Sequence, residues 1–305
     1  MRGRGVVKVL VTGANGLLGQ KLLSLLQEVR DVELVATTRA RIDLPFRASF
    51  HELDITDSAR VATLIRSIAP NVIIHTAAMT QVDQCEQDRH GCWRVNAEGV
   101  RNLALACNSP GCQFIYLSTD FVFSGAHGPL AEDDTPQPVN YYGSTKLAGE
   151  EIVRSLLPRW CIIRTALVYG TTVDRSRSNI VLWVKENLEA KRSIRVVTDQ
   201  WRTPTLAEDL ARGCWLAARQ HASGVFHISG KDLLSPYQIA RKTAAFYALD
   251  ASLIHPTSSE ELHQAARRPL KTGFIIEKAR RVLGYEPHTF DEGMIIMAAQ
   301  VQQPG

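Results

Sequence analysis

The chain has 305 residues, 45% of them apolar, enough to bury the core of one large domain or of two unequal ones. Lys and Arg number 35 against 31 Asp and Glu, a mild positive balance with no basic block of five or six residues, so a nucleic-acid partner is not expected. No stretch approaches the ~20 apolar residues of a membrane span, and the six cysteines show neither a Cys-x-x-Cys pair nor zinc-like His/Cys spacing; the expectation is a soluble cytoplasmic protein with reduced thiols, no metal and no membrane partner.

Arg2 and Arg4 precede an apolar run as in a leader peptide, but Lys8 breaks that run and it empties into a glycine turn, so Val6–Thr12 reads as a first strand. The turn is Gly13-Ala14-Asn15-Gly16-Leu17-Leu18-Gly19, followed by the helical pattern Leu17–Leu26. Strand, glycine turn and helix together make a phosphate cradle, because backbone N–H groups and the helix N-terminus aim partial positive charge at an anion. Gly13 serves the tight turn, Gly16 lets a pyrophosphate approach the main chain, and Gly19 allows close helix–strand packing.

Further strands are expected at Glu33–Thr38, Phe50–Leu53, Val72–Thr76, Phe114–Ser118 and Cys161–Thr165. Amphipathic helices Ser58–Ala69, Gly91–Asn108 and Tyr141–Leu156 lie between them. Strands separated by helices imply right-handed crossovers and a doubly wound, Rossmann-type α/β domain with a parallel sheet, here residues 1–170. The remainder, 171–305, reads as a smaller substrate-binding region that returns one strand and one helix (about 205–230) to the main domain. Its expected elements are helices Ser178–Ala190, Leu206–Gln220 and Pro236–Ala248 and strands Ile194–Thr198 and Gly224–Ser229, with turn signals through the tail.

An NAD-selective site carries an acid at the end of strand two to bind the ribose 2′-OH. Here that position is Arg39, with Arg41 just beyond, and a guanidinium suits a 2′-phosphate; NADP(H) is the expected cofactor. Asp54, after strand three, is placed for the adenine amino group, while Asp57 or Ser58 suits the helix cap.

Tyr142 and Lys146 stand at i and i+4 of one helix, so phenol and ammonium share a face. A nearby lysine charge favours phenolate and should lower the tyrosine pKa toward neutrality, giving a proton donor for an alkoxide. Tyr141, the competing phenol, has the uncharged Thr145 four residues on. Ser118-Thr119-Asp120 ends strand five, where open α/β sheets place ligand chemistry, and the Thr119 hydroxyl would hold a substrate carbonyl beside the phenol.

With these motifs the chain resembles the extended short-chain dehydrogenase/reductases and, more narrowly, the dTDP-4-dehydrorhamnose reductase family. The narrower likeness rests on Ala77–Glu86 (AAMTQVDQCE), Ser118–Gly125 (STDFVFSG), Tyr142–Glu150 (YGSTKLAGE), Arg164–Gly170 (RTALVYG), Asp199–Thr205 (DQWRTPT) and Arg268-Pro269. The resemblance implies Thr119, Tyr142 and Lys146 as a catalytic triad and a cofactor lined by Asn15 to Leu18, Arg39, Asp54, Ile55, Ala77, Ala78 and Thr80. Val82, Asp120, Phe121, Asn179 and Gln200 would face a nucleotide sugar whose 4-keto group is reduced, and Lys146 would also hold the nicotinamide ribose.

Three departures are visible. Leu167 stands where the family usually has tryptophan, Phe121 where it has tyrosine, and Lys21 where some members carry an acidic metal ligand. A metal-bridged dimer is therefore not expected; a metal-free homodimer stays open. Two other readings compete: an NADP-binding regulator similar to the methionine adenosyltransferase beta subunit, and a different nucleotide-sugar reductase or epimerase. In the latter Trp201 and Arg202 would tune substrate binding, against the plainer reading of a packing anchor and a rim charge.

Overall fold

The computed structural model describes residues 6–40, 43–109, 111–173 and 178–302. In chain order the strands are β1 Val7–Thr12, β2 Val32–Thr38, β3 Ser49–Glu52, β4 Val72–His75, β5 Gln113–Thr119, β6 Trp160–Thr165, β7 Val168–Tyr169, β8 Ile194–Val197, β9 Thr205–Leu206, β10 Gly224–His227 and β11 Ile254–Thr257. The α-helices are α1 Leu17–Leu26, α2 Ser58–Ile68, α3 Val82–Gln87, α4 Arg89–Trp93, α5 Gly99–Ala106, α6 Tyr141–Leu156, α7 Ile180–Glu189, α8 Ala207–Arg219, α9 Pro236–Phe246, α10 Glu277–Leu283 and α11 Phe290–Gln302.

Seven strands form one parallel sheet in the order β10-β6-β5-β4-β1-β2-β3. The order reverses beside β1, so the carboxyl ends of β1 and β4 part there and open a crevice. Strand alternation sends Val9 and Val11 to one face, with Leu22, Leu26, Leu210 and Cys214 of α1 and α8. Leu10 goes to the other, with Val61, Val100 and Val153 of α2, α5 and α6. Both faces are thus covered, which explains why the central strands are apolar runs.

The structure differs from the sequence reading in four places. The helix expected over 91–108 starts at Arg89, where Asp88 caps it by accepting from the Gly91 N–H at 2.8 Å, and it carries a π-turn at Arg94–Glu98 between α4 and α5. That wider turn swings Asn96 into the interior. Two small sheets went unforeseen: β11 pairs with β8 and β7 with β9. The tail is not merely turns, since α10 and α11 pack there, Tyr285 buried against the core and Phe290 against Tyr169. Finally, Cys107 and Cys112 are not reduced thiols but a disulfide across the turn from α5 to β5, their Cα atoms 6.0 Å apart. Among the described residues no helix is long and apolar enough to cross a membrane.

Candidate active site

The glycine turn is built by steric necessity. Gly13 sits at φ +69°, and a Cβ there would come within 2.6 Å of the Ala77 nitrogen. At Gly19 a Cβ would press 2.4 Å from the Gly13 carbonyl oxygen, so α1 packs directly on the turn. Gly16 differs, because a Cβ there would meet only that same carbonyl, at 3.2 Å, and otherwise faces open space. The helix that follows has no side-chain cap and no acid in its first turn, leaving first-turn N–H groups for an anion. Asn15, Leu17 and Leu18 are half-buried along this rim. An uncapped helix start, an open Gly16 and a close Ala77 fit a dinucleotide pyrophosphate.

At the adenosine end, Arg39 is exposed just past β2; Arg41 lies outside the described residues. Asp54 accepts from the backbone N–H and hydroxyl of Thr56 at 2.9 and 2.8 Å. The Thr56 backbone bond is the main force holding its carboxyl below the usual range, with Arg39 and Arg94 adding positive charge. Asp57 caps α2 through the Arg60 N–H at 3.0 Å. Ile55 is buried against Gly99, while Ala78 and Thr80 lie on the loop after β4.

The start of α6 brings the reactive groups together. Asn140 caps it, accepting from the Gly143 N–H at 2.8 Å and donating to the Arg267 carbonyl at 2.8 Å. Gly143 rides directly on the Phe121 backbone. This contact sets Tyr142 beside Thr119 at the end of β5; the ring is only 8% exposed, and the Thr119 hydroxyl acts on its phenol. Phe121 meets the Tyr142 ring edge-on at 5.8 Å. One turn further, the Lys146 ammonium lies 4.3 Å over the Tyr116 ring, and the Tyr116 hydroxyl donates to the Lys146 carbonyl at 3.3 Å.

The electrostatics correct one expectation. Lysine does not draw the phenol toward neutrality: burial pushes Tyr142 above its ordinary value, opposed by the Thr119 hydroxyl and reinforced by Asp120. Burial also drives Lys146 down to about 7, with Glu150 pulling the other way. Neighbours at i and i+4 share a face, but at these buried positions desolvation is the largest influence on both groups. Tyr142 therefore stays protonated, the state a proton donor needs.

The residues expected around a sugar nucleotide are placed unevenly. Val82 opens α3 and Phe121 is half-buried beside Tyr142. Asn179 caps α7 through the N–H groups of Val181 and Leu182 at 3.1 and 3.3 Å, and donates to the Gly170 carbonyl at 2.7 Å. Gln200 donates to Ser259 at 2.9 Å. Asp120 and Arg202 are paired with one another, Nε to Oδ2 at 2.9 Å, both almost fully buried. The remaining Arg202 donors go to the carbonyls of Trp201, Leu270 and Pro269, and Thr272 donates to Asp120. Arg202 is thus no rim charge; it staples the 269–272 segment under the site. Lys21 pairs with Glu208 at 2.9 Å and donates to Gln300 at 2.7 Å, tying α1 to α8 and α11.

Sequence reasoning missed Asn96. From the π-turn its amide exchanges hydrogen bonds with both backbone groups of Met79 (2.9 and 3.0 Å) and donates to Thr145 at 3.1 Å, fixing the loop after β4 against α6. It also missed Glu150, which takes a bidentate Arg164 at 2.9 and 2.8 Å and the Ser118 hydroxyl at 2.6 Å. The i+8 spacing from Tyr142 could have flagged Glu150; nothing in the local sequence flags Asn96.

Residues 7–303 match the family described as RmlD substrate binding domain. A dTDP-4-keto-6-deoxy-D-glucose reductase of Streptomyces niveus is 35% identical, covering 86% of each chain. The beta subunit of methionine adenosyltransferase 2 of Danio rerio is 31% identical over 86% of this chain and 80% of its own. Among solved structures, a dTDP-4-dehydrorhamnose reductase of Clostridium acetobutylicum superposes with TM-score 0.88 at 32% identity, covering 97% of this chain and 100% of its own. That of Bacillus anthracis, solved with NADP, gives 0.84 at 30% identity over 96% and 99%.

Proposed function

The chain belongs to the RmlD substrate-binding domain family, and from that premise we propose that it is an NADPH-dependent reductase of a 4-keto-6-deoxy nucleotide sugar, converting dTDP-4-dehydrorhamnose to dTDP-rhamnose. The observation that carries this reading is the Tyr142 phenol held against the Thr119 hydroxyl at the carboxyl end of β5, with Lys146 one helical turn on, in the fold that holds the glycine turn. NADPH, when bound, would supply the hydride for the sugar C4. Gly13, Gly16 and the amides of Leu17 and Leu18 would hold its pyrophosphate, and Arg39 the 2′-phosphate.

The chain's own groups manage the oxygen. The Thr119 hydroxyl orients the C4 carbonyl, and Tyr142, kept protonated by burial, delivers its proton as negative charge grows there. Lys146, balanced near 7, returns a proton to the phenol and anchors the nicotinamide ribose. Residues after Tyr169, with Val82 and Phe121, form the sugar-nucleotide side. Phe121 gives that side an apolar wall with no hydroxyl.

The test is NADPH oxidation, followed by absorbance, across a panel of 4-keto nucleotide sugars. Turnover is expected with the dTDP-linked 4-keto-6-deoxy sugar and its loss in Tyr142→Phe. Tight NADPH binding without turnover of any member would instead favour the other reading, an NADP-binding regulatory subunit similar to the methionine adenosyltransferase 2 beta subunit.

A further inference from the structure

Beneath Tyr142 lie two thiols that the reduction chemistry does not use. Cys85 on α3 and Cys92 on α4 are fully buried and form one cluster with Tyr142, in direct contact with each other. The Cys85 thiol donates to the Met79 carbonyl at 3.6 Å. Cys92 receives the Asn96 amide at 3.4 Å and lies 3.5 Å from the Thr145 hydroxyl, on the turn of α6 between Tyr142 and Lys146. The same Asn96 therefore holds Cys92, the Met79 loop and α6. The two short helices meet at Asp88, which ends α3 and caps α4, so the pair straddles a break rather than a continuous helix.

We propose that Cys85 and Cys92 form a redox-reactive dithiol, oxidised by hydrogen peroxide to a disulfide that disturbs the floor under Tyr142 and Lys146. The Cys92 sulfur attacks a peroxide oxygen, the O–O bond breaks, and water leaves with the thiol proton, giving a sulfenic acid. The Cys85 sulfur then attacks Cys92, expelling a second water as the S–S bond forms. Two thiols lose two electrons and one peroxide becomes two waters. Cys92 is the attacking partner: contacts from Cys85, Thr145 and Asn96 and the Lys146 charge favour its thiolate, while Cys85 is held protonated beside it. Cys161 and Cys214, also buried but set in the apolar core, are pushed up by desolvation and should not react. Pulling Cys92 toward Cys85 removes its contact with Thr145 and shifts α6.

Trypsin separates the pair, because cleavage after Arg89 leaves Cys85 on peptide 67–89 and Cys92 on peptide 90–94. The full chain, pre-reduced and exposed to hydrogen peroxide, is alkylated in denaturant and digested without reductant. Mass spectrometry should find those two peptides joined, lighter by two hydrogens than their sum and released by dithiothreitol, with Cys161 and Cys214 alkylated. Both thiols still alkylated, or sulfinic acid at Cys92 beside a free Cys85, overturns the dithiol. In parallel, peroxide added to protein whose Cys107–Cys112 disulfide is left intact should shift the near-ultraviolet circular dichroism of the wild type and leave Cys92→Ser unmoved, with Cys85→Ala as the second variant. Equal shifts in all three overturn the coupling to the Tyr142 floor. Neither readout needs a sugar substrate, so a failed reductase assignment would leave this result standing.

Discussion

Gly143 and Phe121 touch so closely that a Cβ at Gly143 would stand 2.1 Å from the Phe121 carbonyl oxygen. The contact presses the start of α6 onto the end of β5, and it is what brings Tyr142 to Thr119. Backbone atoms on both sides cannot yield cheaply. Gly143→Ala should therefore lift α6 by a fraction of an ångström and lower kcat at least ~100-fold, the scale of a small misplacement of reacting groups. NADPH affinity, set largely by the β1 turn, should hold within a few-fold. Steady-state kinetics beside a fluorescence titration reads both; unchanged kcat would mean that this contact does not position the phenol.

The balance at Lys146 makes a pH prediction. Its native pKa is about 7 against an ordinary 10.5, so between those values the unfolded chain binds a proton that the native cofactor-free protein does not. Stability then rises with pH across that window, and the cost of burying the charge is felt in full below about 7. Lys146→Met should be more stable than the wild type near neutrality by roughly a few kcal/mol. The gap should close as pH climbs toward 10. Urea unfolding at a series of pH values measures it, and a gap independent of pH would show that Lys146 is not the group responsible.

Arg39 offers a test of cofactor choice. It is exposed beside Asp54, whose carboxyl it helps to keep ionised. A guanidinium there gains most from the dianionic 2′-phosphate and little from a neutral 2′-hydroxyl. Arg39→Ala should weaken NADPH by about 10-fold or more, equivalent to ~1.4 kcal/mol, while NADH changes little. Dissociation constants for both cofactors decide the matter, equal losses marking Arg39 as a bystander.

The fold was legible where local pattern and tertiary demand agree. Val9, Leu10 and Val11 are apolar because the sheet is covered on both faces, and Gly13 and Gly19 are glycines because nothing larger fits. The placement of Thr119 and Tyr142 was legible because each sits at the edge of a regular element, and that of Lys146 because it lies one helical turn beyond Tyr142. What local pattern could not carry was long-range and polar. Asp120 and Arg202 find each other across the chain, β11 pairs with β8 through a segment containing Pro256, and Asn96 turns inward only because of the π-turn. The Tyr142 pKa runs opposite to the sequence expectation for a related reason, since i, i+4 spacing reports proximity and says nothing of burial.

That buried pair yields the last prediction. Arg202 reaches Asp120 with Nε at 2.9 Å and spends its other donors on Trp201, Leu270 and Pro269 carbonyls. Burial already raises the Asp120 pKa against the pull of Arg202, so removing the cation leaves an acid that is costly to keep ionised. Arg202→Met should destabilise the protein by about 3–5 kcal/mol, with the 269–272 segment loosening first. Asp120→Asn combined with Arg202→Met should lose clearly less than the two single losses added, because no charge is then stranded. Denaturant unfolding of the four proteins gives the coupling directly. Additive losses would mean that the two side chains act independently, and that Arg202 is free to serve a bound substrate instead.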